Sequence, residues 1–137
     1  MRASGESVGE TDAALWPADS TTIGRWREIY NEKAVRVPNG AWMTEKESLR
    51  ILQEEQPYFV HRDKELLGIG LLNGNMICWV CACVPGAGAD VVRALSHASF
   101  GEDLVLEVAS ANEKAIRLYQ KLGFTLTAEK SRWYKIL

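Results

Sequence analysis

The stretch Asn112-Glu113-Lys114-Ala115-Ile116-Arg117-Leu118-Tyr119-Gln120-Lys121-Leu122-Gly123-Phe124 decides how this chain folds. Ala115, Ile116, Tyr119 and Leu122 recur at three- and four-residue steps, with Lys114, Arg117 and Lys121 between them. That spacing predicts an amphipathic helix over about 113–122. Asn112 suits the cap, because its side-chain oxygen can accept from a first-turn N–H. Gly123 suits the position just past the end, where the backbone turns left-handed. Phe124 then opens a new apolar run.

Working outward, Leu104, Val105, Leu106 and Val108 form a short apolar strand ahead of that helix. Before it, Val91, Val92 and Leu95 carry a helical pattern from Gly88 to about Ala98. Preceded by the apolar run 76–84, this makes strand, crossover helix, strand, which forces a parallel pair. The runs 58–62, 66–72 and 76–84 read as a three-stranded antiparallel meander, with Asn73-Gly74 at a tight turn between the last two. Two strands, 124–128 and 132–137, follow the signature helix.

Further upstream, Ile23, Trp26, Ile29 and Tyr30 predict a helix over 20–34 behind a Ser/Thr cluster, and Thr44-Glu45-Lys46-Glu47 matches a capping box opening a second helix to about Glu55. A short strand is expected at 13–15, a turn at 16–19 and a loose arm over 1–12. The fold class is α/β in the α+β sense: one mixed, mostly antiparallel sheet with a parallel pair in its middle and helices on both faces.

At 137 residues with 47% hydrophobic and 25% charged composition, the chain suits a single domain, expected over 13–137. A net charge of -2 supplies no field to draw in nucleic acid. No apolar run is long enough to span a bilayer, and residues 1–10 lack a signal-peptide core, so no membrane partner and a cytoplasmic location are expected. The three cysteines, Cys78, Cys81 and Cys83, lie in one apolar strand. Neighbours on a strand are poorly placed for a disulfide, and with no His or second Cys pair nearby a metal is not expected; buried core thiols are.

Asn112 to Phe124 resembles, nearly position for position, the N-x-x-A-I-x-L-Y-x-K-x-G-F signature of the GNAT acyltransferases, and the order of elements over 13–137 agrees. The resemblance implies a GNAT-like sheet whose parallel strands, here 76–84 and 104–108, splay apart around the pantetheine arm of acetyl-CoA. It implies an N-acetyltransferase that moves the acetyl group to a primary amine by direct attack in a ternary complex, in a monomer or homodimer. Tyr119 matches the catalytic acid that protonates the leaving thiolate. Cys83, Val84, Gly86, Ala87, Gly88, Ala89, Asn112 and Tyr119 match the acetyl-CoA-binding positions, with the Val84 N–H as an oxyanion donor.

The chain departs from the family at the diphosphate loop. The family reads Q/R-x-x-G-x-G/A; here Cys83 stands three before Gly86, the loop is short after Pro85, and no basic or amide side chain is present. Asp90 in the first helical turn favours the helix but repels an anion, with Arg93 one turn on as a compensating cation. The alternative to an enzyme is therefore a GNAT-like module that binds acyl-CoA weakly or serves as an interaction surface. No general base is assigned, since His61 and Glu107 both also read as structural. The amine acceptor is not identified; Trp42 and Met43 in the connection between the first two helices suit either an acceptor contact or the core.

Overall fold

The computed structural model describes residues 2–3, 11–34, 42–98, 104–109, 113–122, 128–130 and 133–136. Its strands are β1 (Arg2–Ala3), β2 (Ala14–Pro17), β3 (Gln56–Arg62), β4 (Glu65–Asn73), β5 (Met76–Ala82), β6 (Leu104–Ala109), β7 (Ala128–Lys130) and β8 (Trp133–Ile136). Its helices are α1 (Ile23–Ala34), α2 (Glu45–Glu54), α3 (Gly88–His97) and α4 (Glu113–Lys121). The strands join one sheet in the order β2-β3-β4-β5-β6-β8-β7, with β1 on β6. Every pairing is antiparallel except β5 with β6. This is the mixed sheet with a central parallel pair that the sequence predicts.

The sheet carries a helix pair on each face. On one, Trp26 and Ile29 of α1 and Ile51 of α2 cover Phe59, Ile69 and Leu71. On the other, Val91 and Leu95 of α3 and Tyr119 of α4 join Val60, Leu67, Leu72 and Ile77. Strand β4 is covered on both sides, which is why its sequence is an almost unbroken apolar run instead of an alternation. Its two central glycines set how near α3 lies. A Cβ on Gly70 would sit 2.5 Å from Leu95 Cδ1, and one on Gly68 2.8 Å from Val91 Cγ2.

Local chemistry fixes the helix starts. Thr44 caps α2 by accepting from the Glu47 N–H at 3.2 Å, the first bond of a capping box, and its hydroxyl donates to Glu47 Oε1 at 3.1 Å. Before α1 the cap is Asp19, whose Oδ1 accepts from the Thr21 and Thr22 N–H groups at 2.9 and 3.1 Å. The Thr21 hydroxyl, which donates to the same oxygen at 2.6 Å, and then these backbone bonds hold the Asp19 carboxyl below the ordinary range. The Ser/Thr cluster expected to cap here instead supplies Thr22, which accepts from the Asp19 N–H at 2.9 Å. Trp26, fully buried, donates its indole N–H to the Tyr58 carbonyl at 3.1 Å and ties α1 to the sheet.

Several boundaries differ from the sequence reading. Arg2 and Ala3, inside the expected loose arm, pair with Val105 and Leu104. The first strand runs through Trp16 and Pro17, which were expected in a turn; β2 is an edge strand, where proline's missing N–H costs no ladder bond. The hairpin between β4 and β5 turns on Gly74 and Asn75, one residue later than the Asn-Gly reading, with Gly74 at φ 62°. The last hairpin holds its ladder to Lys130↔Trp133, so Glu129 and Lys130 lie in a strand, not in the connection. Gly123 and the expected strand residues 124–127 lie outside the described residues. No helix among the described residues is long and apolar enough to cross a membrane.

Candidate active site

Among the described residues, strands β5 and β6 pair only at Met76↔Val105 and Ile77↔Leu106, although β5 continues to Ala82 and β6 to Ala109. A register shift opposite Leu71 and Leu72 leaves Cys78 as the extra residue of β5, and beyond it the strands part. The Cys83 N–H donates to the Leu67 carbonyl at 2.7 Å, toward β4. Strand alternation therefore turns the amide of Ala82, and of Val84 two residues past the strand, toward the side β6 has left. Unpaired strand amides need a partner from outside the sheet.

The open end of β5 runs into a turn and the start of α3. The Ala87 N–H donates to the Val84 carbonyl at 3.1 Å and Gly86 has φ 81°, the features of a type II turn with Pro85 and Gly86 at its centre. Ala87 precedes α3 in a helical conformation, φ -85° and ψ -5°, and no side chain caps the helix. The first-turn N–H groups at Gly88, Ala89 and Asp90 have no intrahelical acceptor by geometry, and together with the helix dipole they suit an anion.

The main counter-charge of Asp90 is not Arg93, the cation the sequence suggested. Its Oδ2 accepts from Arg62 Nη2 at 2.7 Å, its Oδ1 accepts from Thr11 Oγ1 at 2.9 Å, and Arg93 Nη1 lies 3.7 Å away. Arg62 first, then the Thr11 bond and the charge of Arg93, hold the carboxyl below its ordinary range against the opposing effect of burial. Arg62 also binds Asp12 Oδ1 at 2.7 Å. The expected compensation thus comes mainly from Arg62, on β3, which sequence reasoning passed over; 28 residues separate it from Asp90, and no local pattern links them.

Tyr119 lies on α4 with 8% of its surface exposed, in the cluster that holds Ala87 and Leu95. Burial, then the nearby Cys81, push its phenol above the ordinary value. Ile116 and Leu122 face inward with it and Lys114, Arg117 and Lys121 outward, as predicted, while the Ala115 side chain lies outside what is described. Of the other sequence-predicted positions, Val84, Gly86, Ala87, Gly88 and Ala89 line the turn and helix start. Cys83 directly follows β5, and Asn112 lies outside the described residues.

The cysteines are not the buried core thiols expected: Cys78 is exposed and Cys81 and Cys83 are half-buried. The cause is the splay, which removes the neighbour from the far half of β5, and the bulge at Cys78. Cys81 and Cys83 face the α1/α2 side beside Trp79 and Tyr30, whose rings lie 4.6 Å apart. Of the residues between the first two helices, Met43 is core, held by Asn31 through bonds of 2.7 and 3.0 Å, and Trp42 is 68% exposed. The His61 ring lies against Trp16, tilted by 38° with centroids 4.5 Å apart, its Nδ1 is buried and unpartnered, and burial lowers its pKa.

A sheet with this order, a splayed parallel pair and a glycine turn leading into an uncapped helix define the GNAT acyltransferase fold. The comparisons agree. Residues 85–134 match the model of the family described as FR47-like protein. An acetyltransferase from Thermus thermophilus superimposes with a TM-score of 0.71 at 14% identity, over 93% of this chain and 98% of that one. Arabidopsis thaliana Naa50, solved with a bisubstrate analogue of CoA, gives 0.63 at 14% identity over 92% and 97%. Spermidine N-acetyltransferase from Vibrio cholerae, with CoA and spermine, gives 0.63 at 17% identity over 91% and 92%. No curated protein matches by sequence. The chain therefore has the GNAT fold, and the resemblance to the GNAT superfamily read from 112–124 stands.

Proposed function

We propose that this protein is an N-acetyltransferase that takes the acetyl group of acetyl-CoA to a primary amine. The observation that carries the proposal is the early parting of β5 and β6 next to an uncapped helix start. The pantetheine amides would pair with the strand edge at Ala82 and Val84. The diphosphate would meet the N–H groups at Gly86 to Ala89, with Asn112 contributing as the family pattern implies. Solved neighbours of this fold hold CoA or a CoA analogue.

In that placement a neutral amine attacks the thioester carbonyl directly, and the Val84 N–H stabilises the oxyanion. Tyr119 donates to the departing sulfur. Its raised pKa keeps the hydroxyl protonated at neutral pH, so it is always a donor, although a weaker acid than an unperturbed phenol. Asp90, already neutralised by Arg62, does not stand in the way of the diphosphate.

The test is thermal unfolding with and without acetyl-CoA, followed by an amine screen with free-thiol detection. Cofactor at a hundred times its Kd should stabilise by about 2.7 kcal/mol, and an amine should then release thiol. No stabilisation at millimolar acetyl-CoA would leave a GNAT-like interaction module.

A further inference from the structure

Glu47 and Asp90 hold the same place in their helices, the third residue of α2 and of α3. A carboxylate there can fold back toward the start of its own helix, and the helix dipole favours its doing so. Glu47 turns back: its Oε1 accepts from the hydroxyl of the cap residue Thr44 at 3.1 Å. Asp90 is turned away, and no side-chain bond caps α3. Both of its oxygens are engaged elsewhere, Oδ2 by Arg62 Nη2 at 2.7 Å and Oδ1 by the Thr11 hydroxyl at 2.9 Å.

The groups that hold Asp90 come from outside its helix, and each is fixed in its turn. The Ala13 N–H donates to Thr11 Oγ1 at 3.2 Å, which leaves the hydroxyl proton to point at Asp90. Arg62 is braced by a second bond, from its Nε to Asp12 Oδ1 at 2.7 Å. Of the two carboxylates on Arg62, Asp90 is the less exposed, 24% against 75% for Asp12, so water screens that pair less. Arg93 comes only to 3.7 Å from Asp90, outside hydrogen-bond range.

We propose that Arg62, helped by Thr11, is a positioning residue for the acyl-donor site: it holds the Asp90 carboxylate off the start of α3. Asp90 is a latent cap. Released from Arg62, it folds back over the N–H groups of its own first turn, as Glu47 does on α2, and its uncancelled charge repels a diphosphate brought to the same place. Pinned sideways, it leaves those N–H groups open. The ligand in this proposal rests on the acetyl-CoA reading, whereas the position of Asp90 is read in the free protein.

The experiment compares wild type, Arg62→Gln, Arg62→Gln/Asp90→Ala and Thr11→Val, first by NMR amide exchange without ligand and then by calorimetric titration with acetyl-CoA. In the free protein the Gly88 to Asp90 amides should exchange more slowly in Arg62→Gln than in wild type, and at the wild-type rate again once Asp90 is also removed. The acetyl-CoA Kd should rise roughly tenfold in Arg62→Gln and return to within about twofold of wild type in the double variant. Thr11→Val, which loses one neutral bond, should move both readouts the same way by less and serves if Arg62→Gln fails to fold. Unchanged or faster exchange in Arg62→Gln overturns the positioning role and leaves the acetyltransferase reading standing. So does an affinity loss that the double variant does not recover, because Arg62 would then act on the fold or the ligand directly. If wild type itself does not bind acetyl-CoA, the acetyltransferase reading falls and the role of Arg62 toward that ligand falls with it.

Discussion

Helices α2 and α3 begin in opposite ways. Before α2, Thr44 is extended, φ -82° and ψ 163°, which lets its side chain fold back onto the Glu47 N–H. Before α3, Ala87 is helical and has no group to offer. The acidic residues of the two first turns differ as well: Glu47 returns to its own cap, while Asp90 is drawn sideways to Arg62 and Thr11. The contrast teaches that one helix start is satisfied by a side chain of its own, and the other is left without a side-chain cap. Tyr119, the β5 amides and the glycine turn all gather at the second.

The largest effect is expected from Tyr119→Phe, which keeps the ring beside the open helix start and removes the hydroxyl. Acetyl transfer should fall by about 10² or more while the thermal shift by acetyl-CoA persists. An unchanged rate under conditions where chemistry limits would take Tyr119 out of the reaction. Next comes Gly86→Val, which puts a β-branched residue at φ 81°. Stability should drop by about 1–2 kcal/mol, and the acetyl-CoA thermal shift should vanish because the turn that aims the amides is lost. If the turn variant still binds at full strength, the diphosphate lies elsewhere.

Thr44→Ala tests the other half of the comparison. Losing this cap should cost about 1 kcal/mol in urea unfolding and leave the cofactor shift untouched. The smallest effect belongs to Asp90→Asn, a few tenths of a kcal/mol at neutral pH because the pair is partly exposed. The lowered carboxyl contributes stability above its unfolded value near 3.8, and that contribution is lost as pH falls through the lower folded value. Wild type and Asp90→Asn should therefore converge in urea midpoint below about pH 4; a gap that persists in acid would mean the effect is not electrostatic.

Much of this architecture is legible in the residues because the deciding patterns are local. The capping box at Thr44 to Glu47, the periodicity of Ile23, Trp26 and Ile29, and the inward set Ile116, Tyr119 and Leu122 all come from neighbours within a few positions. What escaped depends on distant partners. Arg62 meets Asp90 across 28 residues of chain, β1 is a two-residue pairing with β6, and the exposure of Cys78 follows from a bulge set by β4. The thiol pair was visible as C-x-C spacing, but its half-exposed setting requires knowing that β6 leaves β5 after Ile77.

The central claim is that the start of α3 and the end of β5 hold amides meant for acetyl-CoA, whereas the start of α2 does not. Hydrogen–deuterium exchange with and without acetyl-CoA measures this directly. Exchange at Ala82, Val84 and Gly88 to Asp90 should slow on adding the cofactor, while the amides at Glu45 to Ser48 stay unchanged. Equal protection at both helix starts, or none at α3 under conditions where the cofactor binds, would contradict it.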